Sequence, residues 1–199
     1  MDFPPAPAII PVVERNRPPQ RKAVLLDRDG VLVEDTGYIT SEDALRLLPG
    51  VPAALAALRD AGFLLVVVSN QSAVARGMIS LERLFEIQAA LDRLLARRGA
   101  ALDAAYFCPH HPSEGDPPFR RDCPCRKPRP GLIERAAREW SLDRAACFLV
   151  GDSERDFAAA AAAGVRALSV GAAVPGVPRF DGLPAAAEHI LASSKGTSA

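Results

Sequence analysis

The run Ala23-Val-Leu-Leu-Asp27-Arg-Asp29-Gly30 constrains this chain more than any other stretch. A short apolar segment without polar alternation fits a strand covered on both faces, and this one stops abruptly at two carboxylates and a glycine. Side chains two apart on a strand point the same way. Asp27 and Asp29 therefore face one place, while Arg28 points away. Taken alone, the segment reads equally well as a strand followed by an Asp-Gly turn. Three later segments carry matching chemistry and decide between the two.

Along the chain, residues 1–20 are proline-rich and aperiodic, which predicts an N-terminal arm outside the folded unit. Residues 21–192 are expected to form one α/β domain, and the small polar residues 193–199 a flexible tail. A loop over 31–48 contains Asp35-Thr-Gly-Tyr38. The helix over 50–60 places Val51, Leu55 and Leu58 on one stripe and ends at Gly62. A second buried strand, Phe63-Leu-Leu-Val-Val-Val68, leads into Ser69-Asn-Gln-Ser72. Ser80 caps a long helix whose Leu81, Leu84, Phe85, Leu91, Leu94 and Leu95 share a face, with Gly99 as its stop.

Ala104-Ala-Tyr-Phe107 is a third strand, running into Cys108-Pro-His-His-Pro112. An irregular loop then carries Cys123-Pro-Cys-Arg-Lys-Pro128, followed by a helix from about Pro130. Cys147-Phe-Leu-Val150 is a fourth strand, ending in Gly151-Asp-Ser-Glu-Arg-Asp156. An alanine-rich helix reaches Gly164, and 166–170 is a fifth strand. Strands alternating with helices imply a three-layer, Rossmann-like parallel sheet covered on both faces.

In such sheets ligands bind beyond the carboxyl ends of the strands. Strand ends there carry Asp27 and Asp29, Ser69 and Asn70, and Asp152 with Asp156. Clustered carboxylates repel unless a cation lies between them, and oxygen-only ligands suit Mg²⁺. Arg126-Lys127, just ahead of a helix N-terminus, supply positive charge for an anion. Carboxylate nucleophile, Mg²⁺, lysine and hydroxyl donors together describe phosphoryl transfer. Neither common glycine-rich phosphate loop occurs, which disfavours nucleoside triphosphate hydrolysis.

The ordered set Asp27-Arg-Asp-Gly30, Ser69-Asn70, Lys127 and Gly151-Asp152…Asp156 resembles the motifs of the haloacid dehalogenase phosphatase superfamily, over roughly residues 23–170. The resemblance implies a phosphoric monoester hydrolase working through an aspartyl-phosphate. Asp27 would be the nucleophile and Asp29 the general acid/base. Ser69, Asn70, Arg126 and Lys127 would hold the phosphoryl group. Asp27, the carbonyl of Asp29 and Asp152 would bind Mg²⁺, with Asp156 either on the metal or orienting its neighbours. Asp27 has to stay ionised, favoured by Mg²⁺ and Lys127. Asp29 has to carry a proton, which calls for a place away from direct charge compensation.

The cysteines add a second centre. Cys108, His110, Cys123 and Cys125 make a complete tetrahedral Zn²⁺ set with no open position, the mark of a structural site. A disulfide is the rival, disfavoured in a cytosolic setting. His111 could replace His110, or contact substrate, or do neither. Cys147 reads as core and His189 as surface. The whole pattern from Cys108 to Gly131 resembles the zinc-loop branch that contains D-glycero-D-manno-heptose 1,7-bisphosphate 7-phosphatases and histidinol-phosphate phosphatases. There the zinc loop braces the segment with Arg126 and Lys127 and replaces a large cap; the long loop between His111 and Cys123 favours the heptose side. The resemblance gives Asp35 and Tyr38 to a substrate loop, and Arg120 and Arg121 are candidates for a second phosphate. Val33 departs from the branch, where asparagine is common, and the departure is expected to alter substrate choice.

Composition sets the exclusions. The 24 basic and 24 acidic residues cancel, so no overall field recruits nucleic acid or an anionic membrane. No apolar stretch is long enough to span a bilayer, and prolines interrupt any signal-like start. A cytosolic monomer acting on a small phosphorylated sugar is expected, with the minimal cap leaving an open site. A catalytically silent binding module is the reading from another class, and the intact Asp27/Asp29 pair speaks against it.

Overall fold

The computed structural model describes residues 20–171 and 173–195, so the proline-rich arm and the last residues of the expected tail lie outside the described residues. Five parallel strands form one sheet in the order β3-β2-β1-β4-β5. They are β1 (Ala23–Leu26), β2 (Leu64–Asn70), β3 (Ala104–Cys108), β4 (Phe148–Gly151) and β5 (Arg166–Ser169). All four residues of β1 are buried, as a central strand covered on both faces demands. Backbone pairing continues one residue beyond it, where the Asp27 N–H donates to the Val150 carbonyl at 3.0 Å.

The helices divide between the faces by the alternation of the strands. Val24, Leu26, Leu65, Val67 and Val150 share a core with α1 (Val51–Asp60), α2 (Leu81–Ala96) and α5 (Leu183–Lys195). Leu25, Leu64, Val66, Val68 and Leu149 pack on the other side against α3 (Gly131–Glu139) and α4 (Glu154–Ala163). The chain therefore winds outward from β1 through β2 to β3, then crosses back to β4 on the opposite side. That reversal opens a crevice at the carboxyl ends of β1 and β4. Between β1 and α1 the chain runs through residues 27–50 with one turn of 3₁₀ helix (Glu42–Ala44), too little for a separate domain over the crevice from that side.

Three local expectations are corrected. Phe85 is 55% exposed, because the buried stripe of α2 runs through Leu84, Ile87, Gln88, Leu91 and Leu95 and leaves Phe85 on its flank. The tail does not begin at Ser193: α5 continues to Lys195, with the Ser193 and Ser194 hydroxyls donating back to the His189 and Leu191 carbonyls. Val33 is fully buried in the core and cannot reach substrate. Cys147 is core, where burial pushes its thiol up to about 11, and His189 is on the surface beside Phe180.

Leu25 sits in the middle of the central strand with no exposure, so Leu25→Ala leaves a cavity under α3 and α4. Denaturant unfolding of that variant is expected to show a loss of about 2–5 kcal/mol with an unchanged slope.

Candidate active site

The crevice encloses about 290 Å³ and is lined by Asp27, Asp29, Asp35, Tyr38, Ser69, Asn70, Arg126, Lys127, Asp152 and Asp156, among others. The residues given to catalysis, phosphate binding and the substrate loop are thus at its wall, whereas Arg120 and Arg121, the candidates for a second phosphate, are exposed and outside it, and His111 does not line it either. At its floor is the Lys127 ammonium, only 2% exposed, which meets Asp156 Oδ1 at 2.5 Å and Asp27 Oδ2 at 3.1 Å and donates to the Val68 carbonyl at 2.8 Å. Burial alone would lower the Lys127 pKa; the two carboxylates outweigh it and hold the ammonium charged.

Lys127 comes from a loop, and β2 fixes that loop. The Asn70 amide accepts from the Lys127 backbone N–H and donates to the Lys127 carbonyl, both at 3.0 Å. Its polar atoms are therefore engaged in holding the lysine. The Asp27 carboxylate accepts from the Arg28 backbone N–H at 2.8 Å as well as from Lys127. Burial raises its pKa, Lys127 opposes that, and Asp156 adds to it. Asp156 Oδ2 accepts from the backbone N–H and hydroxyl of Ser153 at the start of α4, at 3.2 and 2.6 Å. With its other oxygen on Lys127, Asp156 is an orienting group at a helix cap. Gly151 is obligatory beneath it, since a Cβ there would come within 2.4 Å of the Asp156 side chain.

Asp152 completes the cluster. Carboxylate oxygens of Asp27, Asp152 and Asp156 lie within 4.8 Å of one another. Burial, then repulsion from Asp27, Asp156 and Asp35, pushes Asp152 up to about 6. Three crowded carboxylates facing one lysine leave uncompensated negative charge, which fits a hard divalent cation. Gly30, at φ +76°, makes room: a Cβ there would stand 2.2 Å from Asp152 Oδ2.

Arg28 points away from the crevice, as strand alternation requires, yet its guanidinium turns to bind both oxygens of Asp29 at 2.9 and 3.1 Å. The expectation that Asp29 stands apart from any compensating charge is not met. Alternation describes the direction of a Cβ, and a long side chain can curl back. Gln71, Ser72, Ser153 and Arg155 are further residues that the sequence left unmarked; all but Gln71 line the crevice. Burial, then repulsion by Arg155 and Arg76, draws the Arg126 guanidinium below its usual range, and an anion in the crevice would relieve that strain.

The second centre lies beside the first. Sulfur atoms of Cys108, Cys123 and Cys125 and a ring nitrogen of His110 fall within 4.8 Å of one another. His110 Nδ1 is 3.6 Å from Cys108 Sγ and 3.5 Å from Cys125 Sγ. The cysteines are free thiols, so the rival disulfide is not formed. Hydrogen bonding from Cys125 pulls Cys108 down to about 6 and pushes Cys125 up, because its proton stabilises the neighbouring thiolate. Releasing every proton from the set needs a cation. His111 is outside it; its Nδ1 accepts from the Glu114 N–H at 3.0 Å and caps a turn. Arg126 follows Cys125 directly and donates to the His110 carbonyl at 3.0 Å, so the cluster and the crevice share a wall.

A doubly wound parallel sheet with carboxylates from two adjacent strand ends around a buried lysine defines a class of α/β protein whose crevice suits a metal ion together with an anionic group. Comparison with known proteins gives the family. The profile of haloacid dehalogenase-like hydrolases matches residues 31–164, beginning just after Asp29. The chain belongs to this family. It is 42% identical over 138 residues to D-glycero-beta-D-manno-heptose-1,7-bisphosphate 7-phosphatase of Photorhabdus laumondii, covering 69% of this chain and 73% of that one. Against the enzyme of that name from Vibrio cholerae, identity is 43% over 145 residues, covering 73% and 78%. Among solved structures it is similar to D,D-heptose 1,7-bisphosphate phosphatase from B. bronchiseptica complexed with magnesium and phosphate. The TM-score is 0.76 at 35% identity, covering 87% of this chain and 99% of that one.

Asp152 gives a signed pH prediction. Its folded pKa of about 6 exceeds the ordinary 3.8, so between those values the folded state holds a proton that the unfolded chain has lost. Stability from this group therefore falls as pH rises from about 4 to about 6, and a bound cation cancels the loss. Thermal melts with and without Mg²⁺ should show a larger gain in Tm at pH 7.5 than at pH 5.

Proposed function

We propose that this protein is a Mg²⁺-dependent phosphatase that removes the 7-phosphate of D-glycero-D-manno-heptose 1,7-bisphosphate through an aspartyl-phosphate on Asp27. The observation that carries this reading is the Asp27 carboxylate held between the buried Lys127 ammonium and the Arg28 N–H at the mouth of the switch point. The two heptose bisphosphatase relatives and the similar structure point to the same substrate. The crevice is open enough for a sugar bisphosphate, and Arg155 on its wall offers charge for a second anionic group.

Asp27, Asp152 and the backbone carbonyl of Asp29 would hold Mg²⁺, which would draw off negative charge from the phosphoryl oxygens and let an anion approach the carboxylates. Lys127, Arg126 and the Ser69 hydroxyl bind the remaining phosphoryl oxygens. Asp27 attacks phosphorus in line with the leaving oxygen, which takes a proton from the Asp29 carboxyl. The Asp29 carboxylate then removes a proton from water as that water displaces Asp27 from phosphorus. Asn70 and Asp156 act on Lys127 and do not touch substrate. Tyr38 and Asp35 flank the sugar from the rim. The Cys108, His110, Cys123 and Cys125 cluster fits a structural Zn²⁺ that fixes the loop carrying Arg126 and Lys127.

Asp27→Asn should abolish phosphate release from the heptose bisphosphate, by roughly 10⁴-fold or more in kcat, while the variant still melts cooperatively. Parallel kcat/KM values for both C1 anomers and for histidinol phosphate test the substrate. A preference for histidinol phosphate would overturn the sugar assignment while leaving the chemistry. Removing zinc should loosen residues 108–131 and spare the sheet. Hydrogen exchange after chelation reads this directly, and uniform loss of protection across all five strands would contradict a local brace.

A further inference from the structure

Two buried polar side chains have no task in the mechanism above. Arg28 is 0% exposed and Gln71 is 5% exposed. Removing a guanidinium from water is costly, and an apolar side chain of similar volume commonly serves stability as well or better. Among the described residues, the Arg28 Nη1 has no hydrogen-bond partner, so the fold does not even satisfy the group fully. What the group does hold is Asp29.

The contacts form a closed ring. Arg28 Nε donates to Asp29 Oδ1 at 2.9 Å and Nη2 donates to Asp29 Oδ2 at 3.1 Å. The same Nη2 donates to Gln71 Oε1 at 2.8 Å. Gln71 Nε2 donates in turn to Asp29 Oδ2 at 2.7 Å and to Ser69 Oγ at 3.1 Å. The two halves of the Gln71 amide thus have opposite partners, which fixes its orientation. Its backbone is fixed too, with the N–H on the Cys108 carbonyl at 2.8 Å.

A carboxylate offers two lone pairs on each oxygen. Oδ2 of Asp29 accepts from two donors and has none left, whereas Oδ1 accepts from one and keeps one. We infer that Arg28 and Gln71 are positioning residues that reserve Oδ1 of Asp29 as the single atom through which the proton passes. This rests on the acid/base role of Asp29 proposed above. In the first half-reaction the ester P–O bond breaks as an Asp27 oxygen bonds to phosphorus. The departing oxygen keeps that electron pair and takes the proton from Oδ1. In the second, a water oxygen bonds to phosphorus, one of its protons goes to Oδ1, and the electrons of the Asp27–phosphorus bond return to Asp27. Without the Gln71 donor the carboxylate can rotate and share the proton between its oxygens.

The test is leaving-group dependence. Proton donation matters for a sugar alkoxide and little for p-nitrophenolate, while the water step needs Asp29 with either substrate. In Gln71→Met, kcat for the heptose bisphosphate should fall by about 10²-fold, the lower end of what general acid/base catalysis supplies. With p-nitrophenyl phosphate the variant should release one equivalent of p-nitrophenolate per enzyme at near wild-type rate, then turn over slowly. Gln71→Leu likewise removes the donor to Oδ2; it should behave alike and covers failure of the first variant to fold. A loss spread equally over the burst and both turnovers, or an unchanged sugar-phosphate kcat, overturns the positioning role. Asp29→Asn is the reference: if it gives a burst while the Gln71 variants do not, only the positioning role falls. If it gives none, the acid/base reading of Asp29 falls first.

Discussion

The Lys127 ammonium is the interaction on which the crevice depends. It donates to the Val68 carbonyl and forms ion pairs with the Asp27 and Asp156 carboxylates. A buried lysine is tolerated only with such compensation, and once compensated it dictates where its partners stand. Asp27 is fixed at the end of β1 and Asp156 on the first turn of α4, so one cation ties the two strand ends on either side of the switch point. The tie holds because the lysine's own backbone is clamped by Asn70 from β2. Three consecutive strands of the sheet, β2, β1 and β4, thereby converge on a single nitrogen.

That arrangement is electrostatically incomplete. Asp27, Asp152 and Asp156 outnumber the one ammonium at their centre, and Asp152 responds by holding its proton to about pH 6. A phosphoryl group could not approach such a surface unaided. A divalent cation held by Asp27 and Asp152 would offset that excess, and Lys127 and Arg126 would then be attractive features for the same ligand. The excess of carboxylate is therefore consistent with a site that takes metal first and anion second.

The architecture was legible in the sequence because buried parallel strands are short apolar runs and each ends in a change to polar residues. The crevice residues were legible for the same reason: Asp27, Ser69 and Asp152 are where those runs stop. Other features depend on where a long side chain goes after leaving the backbone, and pattern does not encode that. Arg28 leaves β1 on the side away from the crevice and returns to Asp29 through its guanidinium. Asn70 has the composition of a ligand donor, and only the packing of the 127 loop on β2 shows that its amide is occupied. Phe85 has the hydrophobicity of a core residue but lies beside the stripe that α2 buries.

The rim shows how an uncovered crevice can still be selective. Arg76 stacks on the Tyr38 ring at 5.4 Å and pairs with Glu114, whose N–H donates to His111 at 3.0 Å. Gly115 lies so close to the Ala75 carbonyl that no side chain would fit. The loop of Tyr38, the loop after β2 and the loop between His111 and Cys123 are thus joined edge to edge. Their common anchor is the Cys/His cluster one residue away from His111. A separate cap would have to close over each substrate and pay the ordering entropy at every turnover. Here the wall is joined by these contacts in the folded chain, and the loop with the Cys/His cluster links the Tyr38 rim to the segment of Arg126 and Lys127.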